Sequence, residues 1–204
     1  MKSGAEYDTI KIDADVLLSG YWRYDNTEAY AGFYTYGPNE ICYCQGKFYG
    51  IRPYTSTSNL EIYEYDFSTT PMTSQKVFSS TSHRIRITSS LSIQPFTDGT
   101  YVYIPDGNAS GGGVHRFNPV DKTCTFISTM PSTYDTVGSN APNFSSGCYN
   151  AADDSLYVVG PWGGQLASYN CTTKAITSLY YPTSTGPKMR YVYPMGEKLF
   201  TIRS

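Results

Sequence analysis

The chain predicts an all-β fold, a β-propeller of four-stranded antiparallel blades, and three observations carry the prediction. Composition is the first. Of 204 residues, 21 are Tyr and 18 are Gly, and Ser and Thr are abundant, while the Ala, Leu, Glu and Lys that fill helices are sparse. The second is a turn-then-strand run that recurs four times, and the third is an aromatic-Asx dipeptide that recurs between those runs.

The recurring runs are GKFYGI at 46–51, GTYVYI at 99–104, DSLYVV at 154–159 and EKLFTI at 197–202. Each follows another β-like stretch: EICYCQ, SLSIQPF, SGCYNA and RYVYPM. The residues between the two members, QG at 45–46, TDG at 97–99, AADD at 151–154 and MGE at 195–197, suit tight hairpin turns. The alternating element is WRYDNTEAY from 22, YEYDFSTTPM from 63, HRFNPVDKTCTF from 115 and ASYNCTTKAI from 167. In each, a strand ends on Tyr24-Asp25, Tyr65-Asp66, Phe117-Asn118 or Tyr169-Asn170, where the Asx side chain caps the turn into a return strand.

The aromatic-Asx pairs stand 41, 52 and 52 residues apart, in and just above the range of propeller repeats. Two hairpins per unit give blades of strands a, b, c and d. The chain opens on a c-d hairpin (about 17–36) and runs through three complete units (about 39–81, 91–133 and 147–184). It ends on an a-b hairpin (189–203). Joining the two half-units closes a four-bladed ring and removes exposed sheet edges. A fragment of a wider propeller, or a ring completed by another chain, is the competing arrangement. The domain reading is an N-terminal extension over 1–16 and one propeller over 17–204.

A glycine pair followed by a strand and an aromatic-Asn turn, Gly112-Gly113 before Phe117-Asn118 and Gly163-Gly164 before Tyr169-Asn170, resembles the kelch-type propeller repeat. The first two units lack the pair, and the Trp usual after the Tyr is absent. The resemblance implies the blade architecture and, as one functional setting, a cytoplasmic protein-interaction domain.

A formal charge of −2 with scattered Lys and Arg leaves no electrostatic footprint for nucleic acid. The stretch from Met1 to Ile10 has no apolar h-region, and no run approaches 18 apolar residues. If Met1 is the native start, neither Sec export nor membrane insertion is expected. Five cysteines and two histidines form no C-x-x-C spacing, so isolated reduced thiols in strands are expected, with no metal and no cofactor. The glycine-rich GGGVHRF and GPWGGQL match no phosphate-binding loop. His83 and His115 are expected as exposed polar side chains without a converging nucleophile and carboxylate. Asp98, Asp153 and Asp154 are expected to shape turns. The sequons at Asn108, Asn143 and Asn170 read as incidental in so Ser- and Thr-rich a chain.

Antiparallel order places the b-c and d-a connections on one face of the disc. The candidate binding residues there are Tyr36, Arg52, Tyr54, His83, Arg84, Asp106, Asn108, Tyr134, Asn143 and Trp162. Aromatics among small polar neighbours suit recognition of peptide or sugar groups. The expected role is a non-enzymatic recognition or scaffold module, specifically a phage-like virion structural or receptor-binding component made in the host cytoplasm. Its expected partners are other chains of an assembly, with a cell-surface glycan as a second class. The cytoplasmic kelch-like domain is the alternative, and a glycan-active hydrolase or lyase using the propeller pocket the more distant one.

Overall fold

The structure, a computed structural model, describes residues 41–52, 59–69, 73–84, 93–106, 113–129, 146–160, 165–180 and 189–203. Alternation and turn chemistry account for its first sheet. Strands β1 (Ile41–Cys44) and β2 (Lys47–Arg52) flank Gln45-Gly46, whose φ values of +50° and +81° belong to the primed turns that match strand twist. β3 (Asn59–Asp66) and β4 (Thr73–Arg84) complete the order β1-β2-β3-β4, antiparallel throughout.

The second sheet repeats this meander with β5 (Phe96–Thr97), β6 (Val102–Pro105), β7 (Gly113–Asn118) and β8 (Thr123–Thr129). The third does so with β9 (Ser146–Asn150), β10 (Ser155–Gly160), β11 (Gln165–Asn170) and β12 (Ile176–Tyr180). A final hairpin joins β13 (Met189–Met195) to β14 (Lys198–Arg203). The first strands adjoin in succession, β1 to β5, β5 to β9 and β9 to β13, so the sheets fan about a common axis. This is a β-propeller of four-stranded antiparallel blades, as the repeat predicts. The hairpin expected at 17–36, the extension over 1–16 and the glycines at 112, 163 and 164 lie outside the described residues.

Each inner strand is apolar on both faces because a blade has a neighbour on either side. In β6, Val102 and Ile104 turn to the first blade, joining Tyr49, Ile51, Leu60, Ile62 and Phe117 in one core cluster. Tyr103, between them in sequence, turns the other way to Phe96, Leu156, Val158 and Tyr169. β10 does the same, sending Tyr157 and Val159 to Val192 of the last hairpin. The outer strand β12 carries mostly exposed residues. Many of the Tyr residues are therefore mortar between blades.

Glycine marks the closest approaches. A Cβ on Gly147 would stand 2.5 Å from the Phe96 ring and 2.6 Å from the Tyr157 carbonyl oxygen, at the junction of the second and third blades. Gly113 lies so near the Ser128 carbonyl that a Cβ would overlap it. That glycine, expected to supply a turn, serves a close strand contact instead.

Candidate functional site

The two ends of the propeller are built differently. At one end emerge the a-b and c-d turns, short and held by side-chain hydrogen bonds. Asp98 accepts from the amides of Thr100 and Tyr101, both at 2.7 Å, and from the Tyr103 hydroxyl at 2.7 Å. Asn118 Oδ1 accepts from the Val120 amide at 3.0 Å. Asn170 Oδ1 accepts from the amides of Thr172 and Thr173 at 3.1 and 2.7 Å, and its Nδ2 donates to the Asp153 carbonyl at 2.8 Å. The expected turn roles of Asp98, Asn118 and Asn170 are what these bonds deliver.

Blades are also tied together at this end. Lys122, in the turn between β7 and β8, reaches Glu64 of β3 at 2.8 Å, and Lys47 pairs with the same carboxylate. Burial pushes the Glu64 carboxyl up, but the hydrogen bonds and charges of Lys122 and Lys47 outweigh it and leave the group below its usual range. Gln45 Nε2 adds a bond to the Thr100 carbonyl at 2.8 Å.

At the other end the b-c and d-a connections leave, the end at which the binding residues are expected. Tyr36, Tyr54, Asn108, Tyr134, Asn143 and Trp162 are outside the described residues. Arg52, expected in a loop, closes β2 opposite Glu61. His83 and Arg84, also expected in a loop, belong to β4. That strand outruns the expectation because register shifts absorb extra residues, and Arg84 pairs with Asn59 four positions beyond the Leu60–Ser80 pair.

Asp106 and His115 need the plainest correction. His115 is only 3% exposed and Asp106 4%, so neither is an open polar side chain. The Asp106 amide donates to the Gly113 carbonyl at 2.8 Å, closing the base of the 107–112 connection, and the Asp106 carboxylate turns inward to His115 Nε2 at 3.4 Å. His115 also packs against the Phe126 ring, with centroids 5.0 Å apart. A histidine and a carboxylate thus converge where the sequence suggested none. The pair sits buried at the root of the 107–112 connection, between the two strands that it joins. The register of β6 on β7, which sets Ile104 opposite His115, was the signal that places the two together.

Among the described residues no three His, Cys, Asp or Glu side chains gather as metal ligands do. Cys44, Cys124 and Cys148 are buried in the sheets, and Cys171 lies in the turn after β11. Burial pushes the Cys124 thiol up to about 12, and burial followed by the nearby Asp153 charge does the same to Cys148.

The fold and the end-to-end contrast define a propeller with hydrogen-bonded turns at one end and the b-c and d-a connections leaving from the other. No family model matches the chain, and no curated protein does. Among solved structures it is similar to an auxiliary nutrient binding protein from Bacteroides thetaiotaomicron, with a TM-score of 0.53 and 14% identity over 82% of this chain and 36% of that one. It also matches TolB from Acinetobacter baumannii, with a TM-score of 0.40 and 18% identity over 74% of this chain and 34% of that one. This chain therefore spans little more than a third of the length of either.

Proposed function

We propose that this propeller is a non-enzymatic recognition or scaffold module whose binding surface is the face carrying the b-c and d-a connections. One observation carries the reading: the turn end is consumed by its own hydrogen bonds, whereas the strand pairs at the other end are clamped just before the chain departs. Gly160 is paired with Gln165, and Asp106 is bonded to Gly113. A rigid frame presenting connections from one end is the arrangement that recognition surfaces use. The sequence of those connections, with Tyr54, Tyr134 and Trp162 among small polar residues, suits stacking against sugar rings or peptide groups.

The setting we propose is a virion appendage, in which the module docks to other chains of the assembly and contacts a host-surface glycan. Low net charge and a Tyr-, Ser-, Thr- and Gly-rich composition support it. Binding of the labelled protein to a glycan array is the direct test. Trp162→Ala and Tyr134→Ala should abolish retention, while Tyr43→Ala on the turn side should leave it intact. Loss with the turn-side variant alone rejects the face assignment. Cleavage of a retained glycan, seen by mass spectrometry, rejects the non-enzymatic reading. Capsid and tail genes beside the coding sequence would support the virion setting, and their absence would remove it.

A further inference from the structure

The blades meet through one repeated pairing of faces. In the first blade Cys42 and Tyr49 stand opposite each other, and with Cys44 and Ile51 they pack on Val102, Ile104 and Phe117 of the second. In the second, Phe96 opposite Tyr103 packs on Leu156, Val158 and Tyr169 of the third. In the third, Cys148 opposite Tyr157, with Val159, packs on Val192 and Leu199 of the last hairpin. Each blade therefore sends one face forward and receives its predecessor on the other. The a-b turns of the first blade and the last hairpin both have two residues, so positions transfer directly, and Cys44, Tyr49 and Ile51 become Met195, Phe200 and Ile202. The first three are 1–2% exposed, whereas Met195 is 64%, Phe200 53% and Ile202 43% exposed. The last hairpin thus sends forward an apolar face on which no described sheet is packed.

The first blade carries the other half of such a junction. Phe48 faces Tyr65 in register as Val102 faces Phe117 and Leu156 faces Tyr169. Val102 and Leu156 are fully buried, each covered by the blade before it. Phe48 has no described blade before it and is half-buried, its ring edge-on to Phe67 at 4.8 Å. Among the described residues β13 packs on β9 and β10, and makes no junction with β1 like the one that β1 makes with β5. We propose that the occupant of both faces is a second copy of this chain: β13–β14 of one copy packs forward on β1–β2 of the other, and the reciprocal contact closes the ring. Continuity with the three internal junctions carries the inference. At the first of them Tyr49 stands 5.6 Å from Phe117, in one cluster with Val102. The same register sets Phe200 of one copy against Phe48 of the other, with Met195 and Ile202 on either side, and methionine packs favourably on aromatic rings. Four inner hairpins from each copy place eight about the axis, within the range of closed propellers. A head-to-tail contact whose rotation closes gives a finite ring and leaves neither face open. The faces are flanks of blades, so the pairing is independent of what the connection end binds.

Sedimentation equilibrium of the unmodified protein tests the pairing first, and should give twice the chain mass of 22.7 kDa at micromolar concentration. Phe200→Asp and Phe48→Asp should each weaken the dimer about tenfold or more, because each sets an unpaired carboxylate in the junction. Mixing the two variants should restore a dimer, since one chain keeps the forward face and the other the receiving face. Phe200 is exposed in the single chain, so its variant carries the test if Phe48→Asp fails to fold. A wild-type monomer, or a dimer that Phe200→Asp leaves intact, overturns the proposal, and so does an open series of higher masses. Crosslinking separates a second copy from closure on the chain's own first blade. In a Cys171→Ser background, Phe48→Cys with Phe200→Cys should be joined between chains by a bismaleimide of about 10 Å reach, the spacing of packed sheets. A crosslink within one chain overturns the second-copy assignment.

Discussion

Glu64 of the first blade and Lys122 of the second meet at 2.8 Å across the blade boundary. The contact is tertiary in the strict sense, joining a strand to a turn 58 positions away. Because Lys47 shares the carboxylate, one acidic side chain serves two cations, and it does so in a half-buried setting where water screens it less than on an open surface.

Acid should therefore loosen the first blade from the second. The Glu64 carboxyl is held below its ordinary value of 4.5, so its stabilisation is present above that value and is lost as pH falls through the lower folded one. Glu64→Gln is expected to cost about 1 kcal/mol at neutral pH. It should also flatten the acid limb of stability, visible as a smaller shift in urea midpoint between about pH 7 and pH 3. An acid limb unchanged by the substitution would assign it to other carboxylates.

Gly147→Ala should destabilise by roughly 1–3 kcal/mol, because the new methyl meets both the Phe96 ring and the Tyr157 carbonyl in a junction with no slack. Adding Phe96→Leu should recover part of that loss and not all of it, since the carbonyl stays. A urea series on the single and double variants reads the coupling. Strict additivity would show that the ring is not what the methyl strikes.

Thiol labelling separates the cysteines by place. Cys124 and Cys148, buried and with thiols pushed up to about 12, should resist maleimide in the native protein, because the thiolate is the reactive form. Cys171 is partly exposed in its turn and should label first. All five should label in denaturant. Rapid native labelling of Cys124 would contradict the packing between the first two blades.

Asn170→Ala should cost about 1–2 kcal/mol, more than Asn118→Ala. Asn170 holds two turn amides and also bonds the Asp153 carbonyl of the neighbouring turn, whereas Asn118 holds one turn amide, that of Val120, and donates to the exposed Asp121 carboxylate within its own turn. Thermal unfolding of the two variants tests the order. An Asn170→Asp protein should retain the amide bonds and lose the donated one, falling between wild type and alanine.

Much of this architecture was legible because turns write themselves locally. Gln45-Gly46, Tyr65-Asp66 and Tyr169-Asn170 mark strand ends through backbone conformation and Asx bonding, and the observed ends fall within a few residues of them. Long-range matters were not legible in the same way. Tyr101 looks like a strand residue, yet Asp98 captures its amide and delays β6 to Val102. His83 and Arg84 read as loop, yet a shift in register draws them into β4. His115 is polar and read as exposed, but a c strand has a neighbouring blade on each face, so polarity alone does not assign it to solvent. Its partner Asp106 is nine positions away, a distance that only the pairing of β6 with β7 brings to contact.

Gly160 and Gln165 stand opposite each other at the last rung of β10 and β11, and that rung has a consequence for how such a chain can change. The ends of the intervening segment are fixed by the ladder and not by the segment itself. Lengthening it then adds only closure entropy, about 0.6 kcal/mol for each doubling. A propeller of this kind can exchange the residues between those two positions while the blades beneath go on folding as before.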